Sequence, residues 1–346
     1  MFRQKLLALA LALVVSAGLM AGSAITATVQ AQTKIKVGRT LSGSGFHVPL
    51  YIAIDKGFFK KEGLDAEAIA MTGKALVTAG ISGNIDFLPI PGGGSQASLM
   101  GADLRYVVGE SLISQWAIVV DPKIKSVKEL KGKTIGYGRA GAADYDEGEI
   151  TLSRFFNLEV GRDYKVLSFQ SEADRIAGLI NGDISAALVS FPTAAKAKMA
   201  GFKILVKTGQ YLPRVGGSFW TRASFLQKNR GTVKKFIRAI ASSIEYLRTN
   251  KDGSVGIIMK EFGIKDRKQA TIVWQEIHDQ YSPDIPAGLF EKLFSGRMKR
   301  MIKRGLWKKD KPMPDIEKFV ARDLLSETLR EKGYFLQAPP KPKGGS

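Results

Sequence analysis

The sequence predicts an α/β fold of two similar lobes followed by a helical C-terminal extension, and three observations indicate it. Residues 34–70 have the pattern of a strand, a loop of small residues, a helix and a second strand. The short run at 81–86 is echoed at 180–185, which favours two lobes of similar construction. From 222 to 332, successive helical patterns are interrupted only by short Gly-, Asn- and Pro-containing stretches. The alternation of strands and helices predicts largely parallel sheets.

The helix that begins at Val48 organises the first lobe. Val48, Tyr51 and Ile52 recur at helical spacing, so one helix face is apolar enough to lie on a sheet. Gly57 ends this helix, because glycine accepts the left-handed conformation common at helix C-termini. The loop at 41–47 precedes the helix and lies where open α/β sheets bind ligands.

The remaining elements of the first lobe follow in chain order. They are a helix at 74–81, a strand at 85–90, a glycine-rich loop at 91–95, a short helix to Met100 and a strand at 104–109. A strand at 116–120 then crosses into the second lobe, and Ser126 is an N-cap candidate for a turn at 127–130.

The second lobe repeats the alternation of strands and helices. The predicted strands are 133–137, 165–169, 184–189 and 203–206, and the predicted helices are 145–156, 171–181 and 191–199. The helix at 171–181 is expected to bury Ile176, Leu179 and Ile180 and to stop at Gly182. The stretch 211–218 reads as a connector, followed by a strand at 218–221 that returns to the first lobe.

The N-terminus has the pattern of a secretory signal peptide. Arg3 and Lys5 precede an apolar run at 6–20, and small residues follow. Val29-Gln-Ala31 is the preferred cleavage site and Gly22-Ser-Ala24 is its competitor, while an N-terminal membrane anchor is the alternative interpretation. At the other end, the Pro- and Gly-rich segment 336–346 is expected to be a disordered tail.

Composition narrows the possible functions. The chain has no cysteine, which excludes disulfides, thiolate nucleophiles, cysteine metal sites and a lipid-modified cysteine. The net charge is +20, with Lys and Arg dense at 222–311. Because export argues against nucleic acid as a partner, this charge is interpreted as a solvated basic face, with polyanion binding as the alternative.

Four stretches resemble a known family of periplasmic proteins. They are PLYIAIDKGFFKKEGLD, GNIDFLPIPGGGSQASLMGADLRYVV, IKSVKELKGKTIGYG and ADRIAGLINGDISAALVSFPTAAKAKMAGFKIL, in this order between 34 and 206. The chain resembles the substrate-binding proteins of ABC importers, in the group for sulfonates, nitrate, taurine and the pyrimidine precursor of thiamine. The resemblance implies a type II periplasmic binding fold, in which two α/β lobes close on a small-molecule ligand. It also implies a periplasmic location, a membrane permease as partner, a monomer and no cofactor.

The resemblance leads to a division of the chain into segments. Residues 1–31 are the signal peptide, 32–117 the first part of lobe 1, 118–216 lobe 2, 217–335 the helical second part of lobe 1, and 336–346 the tail.

Two glycine-containing loops are the main candidates for ligand contact. Pro91-Gly-Gly-Gly-Ser95 and the run 136–141 both precede a helix, whose first N–H groups can bind an anion. The run 136–141 also satisfies the dinucleotide fingerprint, but an exported chain is not expected to use nicotinamide cofactors. The alternative to binding at the first loop is a plain flexible turn. The predicted ligand-binding residues are Gly45, Phe46, His47, Gly73, Pro91, Gly92, Gly93, Trp116, Arg139, Gly141, Ala142, Asp144, Phe191 and Gly217.

Two of these residues allow different interpretations. Asp144 either stabilises the start of its helix, like its acidic neighbours, or faces the cleft and favours a ligand with a hydrogen-bond donor. His47 is either a cap or a ligand contact, whereas His278 is expected at the surface; their spacing fits no metal motif. Phe46, Trp116 and Phe191 are expected to form apolar walls of the pocket.

The predicted function is capture of a small organic anion, of sulfonate or carboxylate type, and delivery to an ABC importer. The alternatives are a pyrimidine or another neutral or cationic aromatic ligand, or a periplasmic sensor module. An enzyme is not expected, because the chain has no cysteine and no recognisable nucleophile motif.

Overall fold

The computed structural model describes residues 31–40, 47–140, 142–284 and 286–334. The predicted signal peptide, its cleavage sites, most of the first loop and the predicted tail lie outside these residues. Within the described part of the chain, no helix combines the length and apolar character that crossing a bilayer requires.

The first lobe begins with the predicted strand–helix–strand unit. Strand β1 (Thr33–Thr40) pairs in parallel with β2 (Leu64–Met71), and helices α1 (Val48–Asp55) and α2 (Phe58–Lys61) connect them. Gly57 has a left-handed φ of 69° between the two helices, as predicted. The apolar residues of α1 are buried, because helices from the C-terminal part of the chain pack against it.

The next helix–strand–helix prediction is partly wrong. Helix α3 (Gly73–Ser82) is present, but the predicted strand at 85–90 consists only of single bridges from Phe87 to Val37 and from Leu88 to Trp220. The glycine-rich stretch after it is not a loop, because helix α4 (Pro91–Leu99) already begins at Pro91. Its glycines pack closely against neighbouring side chains, which offsets their low helix propensity.

Two long strands carry the chain between the lobes. Strand β3 (Leu104–Ile113) pairs antiparallel with β9 (Pro213–Arg222), so the predicted connector at 211–218 is mostly strand. The consecutive glycines Gly216 and Gly217 favour a turn, but both lie in strand β9 because β9 pairs with β3. Strand β4 (Trp116–Val120) lies wholly in the five-stranded sheet. Ser114 and Gln115 join β3 to β4, and this link is called the crossing below.

The second lobe contains a five-stranded sheet in the order β6-β5-β7-β4-β8. Strands β5 (Thr134–Tyr137), β6 (Lys165–Ser168) and β7 (Ala186–Ser190) are parallel, whereas β4 is antiparallel to β7 and to β8 (Lys203–Lys207). The prediction of largely parallel sheets is thus wrong for β4 and β9, since both enter their sheets directly from a crossing without a connecting helix.

Helices follow the parallel strands of this sheet at one edge. They are α5 (Ala143–Phe156), α6 (Glu172–Asn181) and α7 (Phe191–Met199). The Ser171 side chain accepts the Asp174 N–H at the start of α6, and Gly182 ends α6 with a φ of 81°. Leu179 is buried as predicted, but Ile180 is 63% exposed, because it lies on the outer face of α6.

The C-terminal helices complete the first lobe. They are α8 (Ala223–Lys228), α9 (Arg230–Thr249), α10 (Lys251–Phe262), α11 (Arg267–Ile277), α12 (Ala287–Lys303) and α13 (Arg322–Glu331). Helix α9 packs on α1 and α13, and its Phe236 ring stacks on Phe87 with 3.7 Å between centroids. Helix α12 packs on α4 and β9. These contacts fix α4 and β9, which border the crossing between the lobes.

Candidate functional site

The crossing between the lobes is a buried polar junction centred on Gln115. Its carbonyl accepts the Phe191 N–H at 3.1 Å, its side-chain amide donates to Ser111 Oγ at 3.3 Å, and it accepts from the Tyr281 hydroxyl at 3.3 Å. Gln115 therefore joins the start of α7 to β3 and to the C-terminal part of the chain. Sequence reasoning missed this residue, because a lone glutamine carries no signal.

Two predicted aromatic contacts lie at this junction. Trp116 is half-buried and pairs with Ser190 at the end of β7, and its carbonyl accepts from Thr208 Oγ1 at 2.9 Å. Phe191 is buried and is the first residue of α7. Both residues lie at the edge of the sheet where its parallel strands end, which is where open α/β sheets bind ligands.

The carboxylate of Glu147 also reaches the crossing. Ser114 Oγ donates to Glu147 Oε2, and the Ser114 and Thr208 hydroxyls are hydrogen-bonded to each other. All three side chains are buried. Glu147 is one of the acidic residues that follow Asp144 in the sequence, and its bond with Ser114 joins α5 to the crossing.

The loop before α5 is held by a buried ion pair. Asp144 lies 2.6 Å from Arg175 Nη2 and accepts the Gly138 N–H at 3.0 Å. Arg175 also donates to the Leu188 carbonyl. The Asp144 carboxylate is thus neutralised by Arg175, which favours the structural interpretation of this residue over that of a lone cleft-facing charge.

The other residues of that loop lie near the same helix start. Ala142 is the N-cap residue of α5, and its N–H donates to the Arg139 carbonyl at 2.9 Å. The Arg139 side chain is exposed and donates to Gln170 Oε1 at 2.6 Å. Gly141, like Gly45 and Phe46, lies outside the described residues.

The glycines at the start of α4 allow close packing. A Cβ atom on Gly92 would come within 2.3 Å of Arg297 Nη2, and one on Gly93 would come within 2.6 Å of Val77 Cγ2. The buried Arg297 guanidinium therefore lies against the first turn of α4, which begins at Pro91. Gly73 begins the neighbouring helix α3, after the extended residue Thr72.

A second ion cluster joins the two lobes. Asp146 on α5 is 2% exposed and lies 2.9 Å from Arg300 Nε, 2.6 Å from Arg304 Nη2 and 3.9 Å from Arg297 Nη1. The three arginines lie on one face of α12 and at its end, because residues three and four apart share a helix face. The spacing of these three arginines can be seen in the sequence, but their shared partner Asp146 cannot be predicted from it.

His47, Glu110 and Gly217 come together at the edge of the first lobe. His47 is buried before α1, and its Nδ1 atom lies 3.6 Å from Glu110 Oε2. A Cβ atom on Gly217 would lie 3.0 Å from Glu110 Cβ and 3.3 Å from Oε2. His47 and Gly217 were predicted site residues, whereas Glu110 was missed, although a carboxylate within the apolar strand LRYVVGESLI is itself a signal.

His278, which was expected at the surface, is only partly exposed. It is half-buried and its ring stacks on Trp274 with 4.2 Å between centroids. No group of His, Asp or Glu residues in the described part of the chain has an arrangement that could hold a metal ion.

Comparison with known proteins identifies the family. The model of the NMT1/THI5-like family matches residues 45–254, which is more than half of the chain. The chain belongs to the NMT1/THI5-like family. YtlA, a proposed binding protein of Bacillus subtilis (strain 168), is 26% identical to it over 270 residues, covering 73% of this chain and 78% of YtlA.

Solved structures share the fold of this NMT1/THI5-like protein. The aliphatic sulphonate-binding protein SsuA from Escherichia coli superposes with a TM-score of 0.70 at 18% identity, covering 85% of this chain and 99% of SsuA. The nitrate-binding protein NrtA from Synechocystis PCC 6803 gives 0.68 at 16% identity, covering 87% and 89%. These matches confirm the type II periplasmic binding fold, and the named relatives are binding proteins rather than enzymes.

Proposed function

We propose that this protein captures a small organic anion, of sulfonate or carboxylate type, between its lobes and delivers it to an ABC importer. The observation that carries the proposal is the arrangement of helix starts around the crossing. Helices α5 and α7 begin at the edge of the five-stranded sheet beside the crossing. The Gln115 carbonyl already accepts the first N–H of α7, so the start of α5 is the end that an anion would occupy. Helix starts offer unpaired N–H groups and a positive dipole end to an anion.

The acidic residues at the start of α5 do not oppose this proposal. Asp144 is paired with Arg175, Asp146 with Arg300 and Arg304, and Glu147 accepts from Ser114. A carboxylate that is already paired repels an incoming anion far less than a lone one does. The start of α5 therefore remains available to an anionic ligand.

Hinge closure is the mechanism that the proposal implies. The lobes are joined at Ser114–Gln115 and at the start of β9, so rotation about these two segments would open the cleft. The lobe limits predicted at 117 and 216 lie within a few residues of these two segments. Export by a signal peptide cleaved after Ala31 and docking of a monomer on a permease belong to the same proposal.

A thermal-shift panel tests the ligand class. We expect alkanesulfonates or carboxylates to raise the melting temperature, because a ligand at 100 times its Kd adds about 2.7 kcal/mol of stability. For a chain of this size that is a rise of several degrees, roughly 2–4 °C per kcal/mol. Sodium chloride at matched ionic strength is the control for salt effects. A shift with pyrimidines, sugars or polyamines alone would show that the anion proposal is wrong.

A further inference from the structure

One buried carboxylate near the crossing lacks hydrogen-bond donors in the part of the protein that the structure describes. Glu110 on β3 is 0% exposed, and neither of its carboxylate oxygens accepts a hydrogen bond from any residue that the structure describes. Its contact with His47, at 3.6 Å, is of ion-pair length and too long for a hydrogen bond. Burial of a carboxylate without hydrogen-bond donors is costly, so such a group is usually retained for a function.

Apart from His47, the described titratable groups around Glu110 cannot supply a positive charge to its carboxylate. Besides His47, the titratable side chains that act on it are the phenols of Tyr51, Tyr106 and Tyr281. Burial raises the pKa of Tyr51 to about 12 and raises the pKa of Tyr106 and Tyr281 well above the ordinary value, so all three stay neutral at physiological pH. The Tyr281 hydroxyl already donates to Gln115.

Glu110 lies close to the crossing. It follows Gly109 on the strand that leads into the crossing, and it lies next to His47 at the start of α1. On the other side Gly217 of β9 has no side chain, and a Cβ there would crowd Glu110 Oε2 at 3.3 Å. The carboxylate therefore lies between His47, which precedes α1, and Gly217 of β9.

We propose that Glu110 is a specificity-determining residue that accepts a hydrogen bond from a nitrogen donor of the ligand, with His47 at its other side. This inference rests on the proposed function, because the helix starts are taken to hold the anionic end of the same ligand. The ligand class is thereby narrowed to small organic anions that also carry an ammonium, amino or amidine-type group. Hydrogen bonds from a charged nitrogen to a carboxylate are among the strong ones, so the donor contributes both affinity and orientation.

Matched ligand pairs test this assignment in the intact mature protein. The probes are ethanesulfonate against 2-aminoethanesulfonate and propionate against 3-aminopropionate, measured by titration calorimetry. We expect the wild type to bind the aminated member at least about tenfold more tightly, since charge-assisted hydrogen bonds contribute about 1.5–3 kcal/mol. In Glu110→Gln this preference should fall to about twofold or less, while affinity for the plain anion changes little.

Asp163→Asn is the matched control. Asp163 is also a buried carboxylate, but it pairs with Arg162 away from the crossing, so its replacement should leave the preference for the aminated ligand intact. An equal preference in wild type and Glu110→Gln would overturn the role of Glu110, as would equal binding of both members by the wild type. If neither member of either pair binds, the proposed function itself fails and this inference fails with it.

The stability of the ligand-free protein provides a second readout. Burial raises the pKa of Glu110, and the contact with His47 opposes this shift. Because the folded protein then binds the proton more tightly than the unfolded chain, stability is greatest below the ordinary pKa of 4.5 and declines as pH rises through the folded value. Glu110→Gln lacks this decline, so its melting temperature should rise relative to wild type as the pH increases above 4.5. A variant that is less stable than wild type at every pH and keeps the ligand preference would assign Glu110 a purely structural role.

Discussion

Replacement of Arg175 by methionine should lower the free energy of unfolding by about 3–5 kcal/mol, because it leaves a buried carboxylate without its cation. Asp144 and Arg175 are both almost fully buried and lie 2.6 Å apart, and Arg175 also donates to the Leu188 carbonyl. The Gly138 N–H would remain as a donor to Asp144. The melting temperature should fall by roughly 10 °C, and denaturant unfolding of the purified protein measures the loss directly.

Two further variants separate the ion pair from general effects of substitution. Arg154→Met, on the exposed face of the neighbouring helix α5, should change stability by less than about 0.5 kcal/mol. The double variant Arg175→Met with Asp144→Asn should recover much of the loss, since it no longer buries an uncompensated charge. A loss below about 1 kcal/mol for Arg175→Met alone would contradict the assignment of this pair as the support of the loop before α5.

Replacement of Asp146 by asparagine should weaken ligand binding by about 30- to 150-fold, which corresponds to about 2–3 kcal/mol. Asp146 on α5 joins three arginines of α12 and its end, so these ion pairs connect helices of different lobes. Separation of the lobes would expose these charges to water, where they need no partner. The substitution therefore destabilises mainly the closed form, and apparent affinity falls with the population of that form.

The measurement is calorimetry with the anion that gives the largest thermal shift, together with small-angle scattering. The radius of gyration of the variant without ligand should exceed that of the wild type. Glu149→Gln is the matched control on the same helix, because its partner Lys303 is 76% exposed and such pairs contribute little. If Asp146→Asn and Glu149→Gln bind the ligand equally well, the buried cluster does not stabilise closure.

Local sequence signals predicted the local structure well. Gly57 and Gly182 adopt the left-handed conformation expected of helix ends, and Ser126 is the N-cap residue of the turn at 127–130, as predicted. These features depend only on residues close in the chain. The glycine-rich start of α4 was mistaken for a loop, because the contacts of its glycines with Val77 and Arg297 come from other parts of the fold.

The polar chemistry around the crossing could not be predicted in the same way. Each pair joins residues distant in sequence, as in Asp144 with Arg175, Ser114 with Glu147, and His47 with Glu110. A sequence shows that such charges exist but not which of them are buried together. His47 and Gly217 were among the predicted ligand-binding residues, whereas Glu110 was identified only by its burial and its lack of hydrogen-bond donors.

Native mass spectrometry of the protein purified from its native host tests the central claim most directly. We expect one small molecule per folded chain, retained under gentle conditions and released when the chain unfolds. The released molecule should carry an acidic group, and its mass should reappear on the refolded protein when the compound is added back. A chain that carries no small molecule, and that none of the sulfonates, carboxylates or their amino derivatives stabilises after refolding, would contradict the account.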